Sequence, residues 1–440
     1  MSEGSWPIVA LGELIESIEA GSSFRCRETP PEEGEVGVAK VSAVSWGRYD
    51  ERESKTCLDP SRISEELLIR KGNFLISRAN TVELVGACVI AEQVRKQVML
   101  SDKTLRIQFK DPSLKPWVLH FLRSRTGRQQ IEALCTGNQE SMRNISQRSL
   151  RIIRLPLAPP EERQEILSFI DQQLSRADAT TTTLQALQTK LKQARASILK
   201  AAVEGRLVKT QQQPPLARSS DQSNQSDRTS EKTSPNGWDI HQARAVCTSI
   251  ESGTTPSKEH LSDLAEGNVP FIKVYNLTFT GRLEFQDNRP TYVTAEYHAT
   301  KMKRSRTLPA DVLTNIVGPP LGKVSIVPSE SEEWNINQAI ARFRCGPTLF
   351  PKFLSIYLQS HQAQSWLAST SKTTTSQVNI SISKCRILPV PVPPISEQQN
   401  IVAEVERRFS VLDQVETTVN TSLKRCGQLR QSVLKRAFGG

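Results

Sequence analysis

The 440-residue chain lacks any long apolar run. The longest uncharged one, Leu84–Ala91, is eight residues, where a bilayer-spanning helix needs about 20. Its opening, MSEGSWPIV, has no basic segment followed by an apolar one, the layout of a secretory signal. The expectation is a cytoplasmic protein with no membrane segment. Cysteine is sparse and scattered, at positions 26, 57, 88, 135, 247, 345, 385 and 426, with no two within four residues. That excludes the close pairs of a zinc site. A chain this long needs no disulfide staples, so reduced and mostly core cysteines are expected.

Catalytic signatures are also missing. The five histidines (120, 241, 260, 298, 361) show no H-E-x-x-H spacing, and no Gly-x-Ser-x-Gly elbow occurs. A methyltransferase should carry a Gly-rich loop and an (Asn/Asp)-Pro-Pro-aromatic motif. Gly318-Pro319-Pro320-Leu321 lacks both the polar head and the aromatic tail. Gly318 to Gly322-Lys323 is one residue too short for a phosphate loop, and Val324 stands where Ser or Thr is required. A turn between strands is the better reading there. The chain reads as a binder, with no metal or cofactor of its own.

Positive charge is present in excess, 57 Lys+Arg against 46 Asp+Glu, and it is unevenly spread. Residues 1–94 carry 10 basic and 16 acidic side chains, whereas residues 95–154 carry 13 basic and 4 acidic. A second cluster is Lys301, Lys303, Arg304 and Arg306. Such concentration is an electrostatic footprint for a polyanion, most often nucleic acid.

The strongest signal is internal. Residues 144–205 align without a gap on 379–440, with 21 identities in 62 positions. Asn144-Ile145-Ser146 falls on Asn379-Ile380-Ser381, and Pro156, Pro159, Glu162, Gln164 and Ile166 fall on Pro391, Pro394, Glu397, Gln399 and Ile401. A fainter echo opens each half: Trp6 to Gly21 resembles Trp238 to Gly253, and Lys40-Val41 resembles Lys273-Val274. The middles diverge. Between the halves, residues 209–236 are polar and rich in Pro, Ser and Gln, the composition of a flexible linker. The length accommodates two to four domains at roughly 100–200 residues each.

Acidic Glu161, Glu162 and Glu165 in a first turn, prolines upstream and Gly205 downstream predict a helix over Glu161–Val203. Ile166, Ile170, Leu174, Ala177, Leu184, Leu191 and Ile198 form a heptad-like stripe. Ile401, Val405, Phe409, Leu412, Val419, Cys426 and Val433 repeat it. At 1.5 Å per residue each helix is roughly 65 Å long, and matching seams predict that the two pack together. Thr180–Thr183 and Gly427 are poor helix formers, so a bend or fraying is expected there. The middles read as mixed α/β. Strands are expected at Val36–Val44, Asn73–Ser77, Cys88–Ile90, Leu105–Phe109, Val269–Val274, Val312–Val317, Lys323–Val327 and Ala339–Arg344, and helices at Pro116–Leu134 and Pro351–Ala368.

Taken over the whole chain, this order resembles the specificity subunit of type I restriction-modification systems. The resemblance rests on W-x-I-x-x-L-G-E-L-I-x-S-I-x-x-G from Trp6, on the two Asn-Ile-Ser triplets, and on Leu155-Pro-Leu-Ala-Pro-Pro-Glu-Glu-Arg-Gln-Glu-Ile166 with its echo Val390–Ile401. Arg163 departs from Gln398, and Gln242-Ala243-Arg244 stands for Leu11-Gly12-Glu13. The resemblance implies an α+β chain with two target recognition domains, 1–154 and 237–388. Helical spacers, 155–208 and 389–440, would pair as an antiparallel coiled coil with pseudo-two-fold symmetry. It implies a non-catalytic subunit that reads an asymmetric, bipartite double-stranded DNA target. Two modification subunits would bind S-adenosylmethionine and methylate adenine, and restriction subunits would use ATP with Mg. Helix length would then act as a ruler for the unread spacer, at about 3.4 Å per base pair.

Residue types suggest where DNA is touched. Arg123, Arg125, Arg128, Arg143 and Arg148, with Lys301, Lys303, Arg304 and Arg306, are the phosphate candidates. Arg78 and Asn80, Asn276, and Thr373, Thr374, Thr375 and Gln377 are candidates for base edges or their surroundings. Glu162, Gln164, Glu397 and Gln399 are the candidates for docking partner subunits. Two other readings stay open: a duplicated DNA-binding scaffold without methyltransferase partners, and a self-contained modification enzyme.

Overall fold

A computed structural model describes residues 6–139, 142–208, 237–266, 268–318, 320–329, 333–369, 372–374 and 377–438. For Asn138, residues 372–374 and residues 377–378 it describes only the backbone. The expected linker, 209–236, lies outside the described residues. The chain divides into two compact units, residues 1–185 with 420–440, and residues 186–419. Each is a mixture of helix and sheet, as expected.

The first unit opens with strand Ile8–Ala10, which pairs antiparallel with Arg154–Pro156. Its main sheet has the order Ile15–Ala20, Thr104–Phe109, Phe74–Ser77, Cys88–Ile90, all antiparallel. The second unit repeats both features. Asp239–Gln242 pairs with Pro389–Val392, and the main sheet runs Cys247–Ser252, Ile340–Cys345, Val312–Asn315, Val324–Ile326. In each unit the short helix after the opening strand, Leu11–Leu14 or Ala243–Val246, begins with an N–H donated across the chain. Leu11 donates to the Ile153 carbonyl at 2.7 Å and Ala243 to that of Leu388 at 2.8 Å. The equivalent of Leu11 is therefore Ala243, one place beyond the sequence pairing, and both side chains are fully buried.

The expected helices over Pro116–Leu134 and Pro351–Ala368 are each two helices. The breaks fall at Ser124 and Ser360, whose backbones are extended. Each serine hydroxyl accepts the amide three residues on, from Gly127 at 3.2 Å and Ala363 at 3.3 Å, so a cap restarts the helix. The expected strand Val36–Val44 is shorter: only Gly37–Ala39 is extended, and Ser42–Ser45 is one helical turn.

Two 44-residue helices span Pro160–Val203 and Ile395–Phe438 without interruption. The four consecutive threonines remain helical. Their hydroxyls donate to the Arg176, Ala177, Asp178 and Ala179 carbonyls at 2.7–3.0 Å. Along the stripe every expected residue is buried or half-buried. Ile166 and Ile170 enter the core of the first unit, which also takes Val433, Leu434, Ala437 and Phe438 from the end of the second helix. The second unit's core takes Ile401, Val402 and Val405 with Ala202 and Val203. Among the described residues no helix is long and apolar enough to cross a membrane.

Candidate nucleic-acid interface

In each unit the strand after Ser77 or Asn315 leaves the main sheet and joins a small three-stranded one. Ala79–Asn80 pairs with Met142–Asn144 and that strand with Thr136–Gln139. Val317–Gly318 pairs with Gln377–Asn379, and that strand with Lys372–Thr374. The Asn-Ile-Ser triplets now have a physical reading. The asparagine ends the small sheet's middle strand, and Ile145 and Ile380 are buried plugs. Ser146 and Ser381 cap the next helix, accepting from the Ser149 amide at 2.9 Å and the Lys384 amide at 3.3 Å.

This arrangement sorts the candidate residues. Arg78 is exposed, and Asn80 beside it donates to the Ser45 hydroxyl at 2.9 Å. Arg143 is cross-strand from Asn80 and donates to the Gly137 carbonyl at 2.7 Å. The three therefore cluster on one small sheet. Arg125 and Arg148 are exposed, as are Lys301, Lys303 and Arg304. The sheet strands that carry Thr373, Thr374 and Gln377 occupy the corresponding place in the second unit, while Thr375 lies outside the described residues.

Four candidates are already engaged within the protein. Arg123 donates to the carbonyls of Cys88 at 2.8 Å and Gly47 at 2.7 Å. Arg128 donates to those of Val85 at 2.6 Å and Val82 at 3.2 Å. These guanidinium groups hold loops in place. Asn276 is fully buried. Its oxygen accepts the Lys273 amide at 2.9 Å, and its nitrogen donates to the Glu284 and Asn288 carbonyls at 3.2 and 2.8 Å, so it presents no edge to a ligand. Arg306 is half-buried and bridges Glu333 at 3.0 Å and two helix-end carbonyls.

At the helix starts, Glu162 and Gln164 are exposed and Gln399 is exposed, with Glu397 half-buried. Glu162 accepts the Trp6 indole N–H at 3.0 Å, joining the opening motif to the helix motif. Arg163 and Gln398, the pair that differs between copies, both point inward. The Gln398 amide is fully buried, accepting from Phe350 at 2.7 Å and donating to the Thr348 and Pro393 carbonyls at 2.8 Å.

A cleft of about 510 Å³ in the first unit is lined in part by Arg48, Tyr49, Arg52, Glu92, Arg95 and Arg123. Arg52 holds the Asp50 carboxyl well below the usual range, at about 2. Burial pushes the Tyr49 phenol up, so it stays neutral at ordinary pH. The lining sets four arginines against Asp50, Glu51 and Glu92, so the cleft is polar with charges of both signs. Among the described residues no group of acidic, histidine or cysteine side chains could hold a metal.

Residues 235–425 match the family model described as the type I restriction modification DNA specificity domain. The chain is 30% identical over 310 residues to the type I restriction enzyme EcoBI specificity subunit of Escherichia coli, covering 68% of this chain and 60% of that subunit. It is 25% identical to the EcoKI specificity subunit of Escherichia coli strain K12, covering 74% and 65%. The match thus spans about 60% of the length of the EcoBI relative. Among solved structures, a chain from work on the complex assembly and conformational transition of the type I R-M system superposes with a TM-score of 0.62. That pair is 17% identical and covers 99% of this chain and 98% of that one; the likeness is one of fold.

Proposed function

Because the chain belongs to the family of type I restriction-modification specificity proteins, we propose that it is the DNA sequence-recognition subunit of such a complex. It has no catalytic role of its own. It reads an asymmetric, bipartite duplex target in the cytoplasm and docks two modification subunits, which carry S-adenosylmethionine and methylate adenine. Restriction subunits, with ATP and Mg, join that assembly. Residues 1–154 and 237–388 are the two target recognition domains. The segments 155–208 and 389–440 are the helical spacers, paired as an antiparallel coiled coil, and 209–236 links the halves.

The observation that carries this reading is the same frame built twice around different surfaces. Two main sheets share one strand order, while the residue types at the small sheets differ: Arg78, Asn80 and Arg143 at one, Val317 and Gly318 at the other. One scaffold with two dissimilar reading edges suits two dissimilar half-sites. Exposed basic side chains such as Arg125, Arg148, Lys301, Lys303 and Arg304 supply phosphate contacts, which position the protein without carrying sequence information.

The direct test is the adenine methylome of the host with and without the gene. Loss of one bipartite, asymmetric motif is the expected result; an unchanged methylome in a host whose partner subunits are expressed rejects the reading. Docking is tested at the helix starts. Reversing the charge at Glu397, or introducing one at Gln164 and Gln399, should lower the amount of modification subunit that co-purifies while leaving the thermal unfolding profile intact. Unchanged stoichiometry would remove those residues from the docking surface.

A further inference from the structure

The chain is poor in aromatic residues, 5% in all, and nearly all of them are buried or half-buried. Among the described residues the two most exposed are Trp46, 69% exposed, and Phe279, 54% exposed. A single exposed apolar side chain is ordinary on any surface. These two occupy the same place in the duplicated frame. Each stands six residues after the lysine of a Lys-Val pair, Lys40-Val41 or Lys273-Val274. That pair follows a strand, Gly37–Ala39 or Asn268–Ile272, and one helical turn comes after the lysine, Ser42–Ser45 or Val274–Asn276. Each ring then precedes a glycine in the left-handed region, Gly47 at φ 79° or Gly281 at φ 87°, and an exposed arginine, Arg48 or Arg282. The middles otherwise diverge, so an exposed aromatic followed within three residues by Gly-Arg, as Trp46-Gly47-Arg48 and as Phe279-Thr280-Gly281-Arg282, calls for a shared cause.

Both turns are braced. In the first unit Asn80 holds the Ser45 hydroxyl at 2.9 Å and Arg123 holds the Gly47 carbonyl at 2.7 Å. In the second, the Thr278 hydroxyl donates to the Arg282 carbonyl at 2.7 Å, and the Ser325 hydroxyl to the same carbonyl at 2.6 Å. Water gains nothing from a ring held out on a rigid turn, and the core gains nothing either. Basic groups lie close in the chain or in space: Arg48 two residues after Trp46, Arg282 three residues after Phe279 and also 3.9 Å from the Asp413 carboxylate, and the Lys323 ammonium 5.9 Å from the Phe279 ring. An apolar ring with basic groups nearby fits an anionic partner that also exposes apolar groups, as a duplex does where thymine methyl groups line the major groove between its phosphates.

We propose that Trp46 and Phe279 are base-contacting residues, one for each half of a bipartite duplex DNA target. The ring packs on bases or thymine methyl groups, and the adjoining arginine takes the phosphate. This rests on the reading of the chain as a DNA-recognition subunit. It also explains why Asn80, read as a base contact, spends its amide on Ser45: it positions the turn that carries the ring.

The test uses the full chain assembled with the modification subunits of its own system. The duplex carries the target that the wild-type methylome defines. Trp46→Ala should weaken binding roughly ten-fold or more and relax the methylated motif in one half only, and Phe279→Ala in the other half only. Trp46→Phe should keep most of the affinity. The salt dependence of binding should be unchanged by Trp46→Ala, whereas Arg48→Ala should reduce its slope by about 1. Alanine variants with unchanged affinity and motif overturn the proposal while leaving the DNA-recognition reading intact. Loss of co-purifying modification subunit, with the thermal unfolding profile unchanged, overturns it by making the turns protein-docking elements. A wild-type assembly with no bipartite motif sinks the recognition reading first, and the proposal with it.

Discussion

Gly21 and Gly253 close the opening motif of the two halves, and the structure gives the reason at the level of single atoms. A Cβ added at Gly21 would stand 1.9 Å from the Leu100 carbonyl oxygen, and one at Gly253 would stand 2.0 Å from that of Ile336. Both obstacles are backbone and cannot rotate away. Gly21→Ala and Gly253→Ala should each destabilise their own unit by about 3 kcal/mol, seen as a lower midpoint in urea unfolding; wild-type midpoints would show that the strands can separate without loss. A second residue-scale effect depends on pH. His120 is buried, with its Nε2 3.3 Å from the Asp171 carboxylate. Burial lowers its pKa below the ordinary 6.5 and Arg123 adds to this, against the opposing pull of Asp171. The unfolded chain therefore binds this proton more readily, and the stability due to neutral His120 is present above about pH 6.5 and lost as pH falls below it. Asp171→Asn should enlarge the loss of stability between pH 7.5 and 5.5, and His120→Leu should shrink it. An acid arm identical in all three proteins would show that this ring does not titrate across unfolding.

The two long helices show how much of an element can be read before any coordinates. Their stripes and the limits of the first follow from the 3.6-residue period and the flanking prolines, whereas the bend or fraying expected at the threonine run and at Gly427 does not break the helix, both stretches staying helical. The threonine run, a poor helix former, is rescued by hydroxyls that bond back along the helix. The ion pairs were not legible, because a charge pair is a contact between segments more than 200 residues apart. Arg195 bridges Asp413 and Glu416, the latter at 2.9 Å, and Arg430 bridges Asp178. In the internal alignment Arg195 matches Arg430 and Asp178 matches Asp413, so one duplicated pair of residues makes the same bridge reciprocally, once in each unit. Exposure separates their strengths. The Arg195 side chain is 18% exposed and also lies over the Phe409 ring at 5.2 Å, whereas Arg430 is 47% exposed. Arg195→Ala should cost about 1–2 kcal/mol and Arg430→Ala under about 1, by thermal or urea unfolding. Exchanging the charges, Arg195→Asp with Asp413→Arg, should recover part of the first loss; no coupling in that cycle would reduce both bridges to surface decoration. The same limit explains the candidate site. Arg123, Arg128 and Asn276 carry the right chemistry for DNA, but only the fold reveals that carbonyls nearby already hold them. The exposed Trp46 and Phe279 left no mark that composition could separate from core aromatics.

Across the whole molecule, each unit is completed by the far end of the helix that begins in the other. The first unit's core contains Val433, Leu434, Ala437 and Phe438. The Phe438 ring meets Trp117 edge-on at a 4.8 Å centroid distance and Phe121 at 5.7 Å. The second unit's core takes Ala202 and Val203 in the same way. The core that residues 1–154 build is therefore shared with Ile166 and Ile170 and with the end of the second helix. Removing residues 427–440 deletes Arg430 and four core side chains, of which Phe438 alone is worth about 3–5 kcal/mol. That is a large share of a domain's stability of about 5–15 kcal/mol. The truncated chain should lose hydrogen-exchange protection in strand Thr104–Phe109 while strand Ile340–Cys345 keeps it, since the second unit retains its whole core. Equal protection in both strands would mean that the helix end is dispensable, and that the first unit holds its shape on Ile166 and Ile170 alone. The asymmetry matters for any exchange of residues 1–154 between relatives. A graft there must still present aromatic or large apolar side chains at 117 and 121 to receive Phe438, or it fails by unfolding before any binding preference can be measured.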